Sequence, residues 1–253
     1  MIIRKRYILI LCLLSLLCAP LRAQQAQNRP YVDDKLFHFG FQLGLNFSAY
    51  GITDADTAVV CDPATGEAHI YHARVSGLLP GFNVGFISDL RLCRFLNLRF
   101  CPGMQFTSRT ISYKYDEDEE LPVMSKDKAY GDKIDVLAIP VYLPLYLKWS
   151  AEREGNYRPY VIAGGGVSFN VSRDGSKPVK MNLMDYFAEI GFGCDLYFQW
   201  FKFCPEISYR IGFADQICHY DDRHDQLSPY YAFYSNAIGR MTNHCVCLTF
   251  NFE

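Results

Sequence analysis

Beyond its opening residues, the sequence has no hydrophobic run of the roughly 18 uninterrupted residues that a membrane-crossing helix needs. The apolar stretch at residues 136–149 is broken by Pro140 and Pro144. Any membrane role of the mature chain is therefore not helical. Strong charge of either sign is also lacking: the formal net charge is −2, which leaves no electrostatic footprint for nucleic acid. Enzyme signatures such as Gly-x-Ser-x-Gly or His-Glu-x-x-His are missing. Gly164-Gly165-Gly166 lies inside a strand-like segment rather than between a strand and a helix, so it is a small lining or a bend and not a phosphate loop. No catalytic residue, cofactor, metal or small-molecule substrate is expected, and the chain is read as non-enzymatic.

The N-terminus carries Arg4, Lys5 and Arg6, then an apolar run at residues 7–17, then small and polar residues around Ala23. That order makes residues 1–23 a secretory signal peptide cut after Ala23. Cys18 suggests a lipoprotein signal, but Leu17 is large where a small residue is required, so lipidation is disfavoured. Eight of the ten cysteines follow the signal, in a compartment that permits disulfides. Their spacing is not that of a disulfide scaffold. They read as small, half-polar lining residues, and Cys245 and Cys247 share one strand face in poor disulfide geometry.

Tyr and Phe are abundant, at 18 and 19 residues beside 18 Gly, which points to β structure. The strongest signal is alternation with period two. Phe39, Phe41, Leu43, Leu45 and Phe47 oppose His38, Gly40, Gln42, Gly44, Asn46 and Ser48. The pattern returns around Phe82–Phe86, 96–107, 137–148, 161–170, 186–198, 201–213 and 245–252, which makes eight strands. Long connections (residues 51–78, 114–135, 172–184 and 214–239) alternate with short ones (91–95, 151–156 and 199–200). This is the rhythm of an outer-membrane barrel with short periplasmic turns, long external loops and both termini periplasmic.

Alternation alone does not say which face is inside, because soluble barrels alternate too. Two arguments decide it. Eight strands enclose a narrow interior, which several Phe, Leu or Ile per strand would overcrowd and which a glycine-rich face suits. The polar face has few Lys and Glu, unlike a water-exposed surface, while the apolar face is almost uncharged over the roughly ten residues that cross a bilayer when tilted. The expected fold is all-β: an eight-stranded antiparallel up-and-down transmembrane β-barrel with a polar, filled interior. Residues 24–37 form a periplasmic N-terminal segment and residues 38–253 the barrel.

The inward face then carries Arg99, Lys148, Glu189, Asp195, Lys202, Glu206 and Arg210, with Asp89. Buried charges must pair, so these read as a structural plug of ion pairs and not as an ion path. The acidic run at residues 116–120 reads as a solvated loop. His219, Asp221, Asp222, His224 and Asp225 are metal-binding in type but lack ligand spacing. Tyr31, Tyr113, Tyr115, Trp149, Tyr157, Tyr160 and Trp200 lie near strand ends, where interfacial aromatic girdles are expected.

Several segments resemble a known family. Residues 33–46, from Asp33-Asp34-Lys35-Leu36-Phe37-His38 onward, look like the start of the PorT proteins of Bacteroidetes. The strand Ile139-Pro140-Val141-Tyr142-Leu143-Pro144-Leu145-Tyr146-Leu147-Lys148, the Gly164 triplet and the segment Ala188-Glu189-Ile190-Gly191-Phe192-Gly193 are similar to theirs as well. The resemblance implies a part in type IX protein secretion, with other envelope or secretion proteins as partners beside outer-membrane lipid. It implies no enzyme activity. The alternative reading is a generic outer-membrane barrel whose external loops bind partners. The cysteines depart from the family pattern.

Overall fold

A computed structural model describes residues 27–54, 59–61, 68–75, 79–115, 133–172, 179–219, 222, 234–235 and 237–253. The signal peptide, the acidic run at 116–120, and Asp221, His224 and Asp225 lie outside the described residues. Among the described residues there are fourteen strands: β1 (Phe37–Asp54), β2 (Val59–Cys61), β3 (Ala68–Val75), β4 (Leu79–Arg91), β5 (Leu96–Phe100), β6 (Gly103–Tyr115), β7 (Lys133–Ala138), β8 (Pro140–Ser150), β9 (Tyr157–Asn170), β10 (Lys180–Met181), β11 (Met184–Tyr197), β12 (Lys202–Gly212), β13 (Ile217–Cys218) and β14 (Ile238–Phe252).

They build a closed antiparallel ring of eight walls. β1 pairs with β4 on one side and β14 on the other, and the ring runs on through β12, β11, β9 and β8. Two walls are interrupted by proline, which has no N–H to give to a ladder. Pro102 separates β5 from β6, yet Ser88↔Phe100 and Gly85↔Gly103 keep one register across it. Pro140 follows the break between β7 and β8 in the same way, with Thr107↔Ala138 and Gly103↔Tyr142 in step. Closure leaves no unpaired edge in this part of the sheet, the condition that lipid imposes on strands.

Outward positions in the ring are apolar. Phe39, Phe41, Leu43, Leu45 and Phe47 of β1 are all exposed, as are Phe82 and Phe86, Leu143 to Leu147 at alternate positions, Ile190, Phe192 and Ile207. Cross-strand rings stack on this surface, as in Phe41–Phe252 with centroids 4.8 Å apart and Phe82–Phe106 at 4.6 Å. A water-exposed apolar belt this wide would far exceed the largest patches of soluble monomers, so its solvent is lipid. The narrow interior is bought with small residues. A Cβ on Gly166 would sit 2.3 Å from the Leu143 carbonyl oxygen, and one on Gly193 would sit 2.4 Å from the Tyr160 ring.

Several strands continue beyond this belt at the long-loop end, and there the faces exchange character. On β6 the inward residues Gln105, Thr107 and Arg109 give way to buried Ile111 and Tyr113, while the outward ones change from Met104 and Phe106 to Thr110 and Ser112. On β7, Ile134 and Val136 are buried and Lys133 and Asp135 exposed. Tyr50, Val179, Met181, Ile217, Tyr234, Ile238 and Met241 complete an apolar cap with them. Tyr113 is therefore not a girdle residue: it is 2% exposed and donates to the Tyr234 carbonyl at 3.0 Å.

The long connections are correspondingly shorter than the sequence reading placed them. β1 runs on to Asp54, β3 pairs with β6 at Val75↔Ile111 and continues the wall of β4, and β7 begins at Lys133. β10 and β13 clasp the third and fourth connections through Lys180↔Cys218 and Met181↔Ile217.

Candidate functional site

The chemistry of this molecule is concentrated in the lumen. All seven charges singled out from sequence are buried on the inward face, none above 9% exposed. They form two clusters at different heights in the lumen, and β11 and β12 contribute to both.

The first lies toward the short turns. Arg99 of β5 reaches Asp89 of β4 at 3.0 Å and Glu253 at 2.7 Å, with Glu206 of β12 at 3.6 Å. Asn97 donates to the second oxygen of Asp89 at 2.6 Å. Lys202 pairs with Glu253, and lies 3.8 Å from Asp195. Lys148 of β8 donates to both oxygens of Asp195 of β11, at 2.8 and 2.7 Å. Tyr160 sits between these ions. Its hydroxyl donates to Glu206 at 2.8 Å, and its ring takes the Lys148 ammonium on its face at 4.0 Å. Tyr160 is thus a lumen residue, 2% exposed, and not part of a girdle.

The second cluster stands above it. Glu189 of β11 accepts from Arg210 Nε at 2.7 Å, Tyr146 at 2.6 Å and Ser208 at 2.5 Å. The Arg210 guanidinium lies over the Tyr142 ring at 4.0 Å and the Phe187 ring at 4.6 Å. Neutral groups follow: Gln105 donates to Ser48 and Thr107, each at 3.0 Å, and Thr107 to Asn46 at 3.0 Å. A cavity of about 20 Å³ beside Asn83, Tyr142 and Arg210 has the capacity of about one water molecule. The seven charges are partnered, Arg109 is held by Asn243 Oδ1 at 3.0 Å and by the face of the Tyr50 ring, and the apolar cap lies above, so side chains fill the described lumen. Removing one member of such a set strands its partner in a medium that cannot solvate it, at a cost of about 3–5 kcal/mol.

The short-turn end is covered by the segment before β1. Arg153 donates to the carbonyls of Asn28 and Arg29, and Arg29 to the carbonyl of Glu253 at 3.3 Å. Tyr197 donates to both oxygens of Asp33, at 2.8 and 2.9 Å, and Arg91 pairs with Asp34 at 3.0 Å.

Cys101, Cys204, Cys245 and Cys247 are buried in the lumen wall, and they, Cys93, Cys194 and Cys218 are free thiols. The sulfurs of Cys245 and Cys247 are 3.4 Å apart. His219 faces Asp215 at 3.6 Å, and no group of three metal-ligating side chains occurs among the described residues. Trp149, Tyr157, Trp200 and Tyr31 do lie exposed toward the short-turn end. Glu253 was not among the residues singled out from sequence. Its odd number continues the inward parity of Cys245, Cys247 and Asn251, which was the available signal.

Solved structures with a similar fold include Neisserial surface protein A (8% identity, TM-score 0.40, covering 86% of this chain and 98% of that one). Another is the outer membrane protein OprG from Pseudomonas aeruginosa (12%, TM-score 0.45, 85% and 92%). A third is Ail, the attachment invasion locus protein of Yersinia pestis, solved with the heparin analogue sucrose octasulfate (10%, TM-score 0.34, 85% and 96%). No curated protein matches the sequence. Residues 25–217 match the family described as outer membrane protein beta-barrel domain, so the chain that closes this ring belongs to that outer-membrane family.

Proposed function

We propose that this protein is a non-enzymatic component of an outer-membrane protein secretion machinery, of the PorT kind that serves type IX secretion. The observation that carries the reading is the closed lumen. A barrel packed with paired charges and capped by apolar side chains does not pass cargo or solutes, so it acts through the surfaces at its two ends and along its wall. The resemblance of residues 33–46 and 139–148 to PorT proteins supplies the machinery. In this reading the short turns and both termini face the periplasm, where Asp33 and Asp34 hold the leading segment across the barrel mouth. Partners are other envelope or secretion proteins, met in outer-membrane lipid.

Deleting the gene is expected to abolish surface display of secreted cargo, with restoration by the wild-type copy. Undiminished display in the deletion strain would overturn the assignment. In planar bilayers the purified barrel is expected to show no sustained conductance, and a steady open level would overturn the closed-lumen argument.

One observation favours a second reading, a barrel with adhesive or partner-binding external loops and an envelope-structural role. The walls at the long-loop end rise past the apolar belt as a folded, capped platform. Trimming residues 116–132 separates the two: loss of partner binding with secretion intact supports the second reading, and loss of secretion supports the first.

A further inference from the structure

The outer wall is uneven near the short turns. Val161 of β9 is paired with Trp149 on one side and Phe192 on the other. These aromatic walls, with Phe95, flank a strip of smaller outward residues: Ala151, Pro159 and Val161. The result is an apolar groove of about 420 Å³ on the lipid-facing surface. Its rim carries charge. The Arg94 guanidinium lies 5.2 Å from the centre of the Phe95 ring, and Arg94 Nη2 is 3.1 Å from Glu152 Oε1. Both side chains are largely exposed, so each can take a second partner. Arg158 fixes the rim by donating to the carbonyls of Ala151 and Arg94, at 2.8 and 2.7 Å, which ties the two neighbouring turns together.

We propose that this groove binds one glycerophospholipid whose headgroup bears a primary ammonium. An acyl chain lies along Val161 between the aromatic walls, because the groove opens onto the bilayer and its walls are apolar. The phosphate docks on Arg94 and the ammonium donates to Glu152. The paired rim selects the headgroup. A purely anionic head brings its charge against Glu152, and a quaternary ammonium has no N–H for that carboxylate. The site rests on the membrane-facing belt. Only the leaflet that supplies the lipid depends on the orientation proposed above, and a micelle experiment is blind to that orientation.

The chain has two tryptophans, so Trp200→Phe leaves Trp149 as the only reporter, at the groove wall. The purified barrel in detergent micelles is titrated with phosphatidylethanolamine brominated on its acyl chains, then with phosphatidylglycerol and phosphatidylcholine carrying the same chains. Quenching is expected to saturate near one lipid per barrel, with affinity for the ethanolamine lipid about tenfold above the other two. Arg94→Ala and Glu152→Ala, both in exposed turns, should each erase the headgroup preference while quenching persists. Val161→Phe should fill the groove and abolish saturation. Quenching that only tracks the fraction of brominated lipid, or that saturates alike for all three headgroups, overturns the proposal. If Val161→Phe does not fold, the two turn variants decide it alone.

Discussion

The same strands solve two opposite problems a few residues apart. In the belt, β6 sends Met104 and Phe106 outward and Gln105 and Thr107 inward. Past the belt it sends Thr110 and Ser112 outward and Ile111 and Tyr113 inward. The backbone period is unchanged, and so is the direction each parity points. Only the medium outside the wall differs. Where the wall touches lipid, apolar side chains belong outside and every inward charge must find a partner within the lumen. Where it touches water, the ordinary hydrophobic effect returns and drives apolar side chains into a core. The exchange of polarity therefore marks the edge of the bilayer from the protein side. It also explains why the barrel is sealed twice, by ions in the belt and by a cap above it.

The largest expected effect breaks the ionic half of this comparison. Arg99→Met leaves Asp89 buried without its cation and Glu253 with Lys202 alone, and should cost about 3–5 kcal/mol in urea unfolding from micelles. Adding Asp89→Asn, which leaves the Lys202–Glu253 pair in place, should recover most of it. Next comes the cap. Ile111→Ala opens a cavity in a fully buried site and should cost about 2–5 kcal/mol, which the same unfolding curves would show. Third is the lipid face: Leu145→Arg, in the middle of the outward row of β8, should cost about 2–4 kcal/mol. The smallest change sharpens the contrast. Thr110→Arg, outward but past the belt, should stay within about 0.5 kcal/mol of wild type. A large loss for Thr110→Arg would extend the lipid belt to the strand ends.

Much of this was legible in the sequence. Strand number, the alternation of short and long connections and the inward set from Arg99 to Arg210 follow from period two and from the volume of a narrow barrel. The cap was not read, because its segments look like loops when apolar-outward is taken as the rule along whole strands. Ile111, Tyr113, Ile134 and Val136 stand on the parity that carries polar residues lower down, so the rule that finds the belt discards them. Tyr160 escaped for a related reason. A tyrosine near a strand end suggests an interfacial anchor, and only its even number, which faces it into the lumen like Ile162 and Ser168, argues otherwise. The pairing of Lys148 with Asp195, or of Arg210 with Glu189, depends on which walls are neighbours and on stagger, which no single strand records.

The inversion is tested most directly by solvent access along β7 and β8. A nitroxide carried on a genetically encoded residue would be placed singly at positions 133, 134, 135, 136, 143, 145 and 147 of the barrel in lipid bilayers. Relaxation by oxygen should dominate at 143, 145 and 147, and relaxation by a water-soluble nickel chelate at 133 and 135, with 134 and 136 shielded from both. Nickel access at 143 to 147, or oxygen dominance at 134 and 136, would contradict the account.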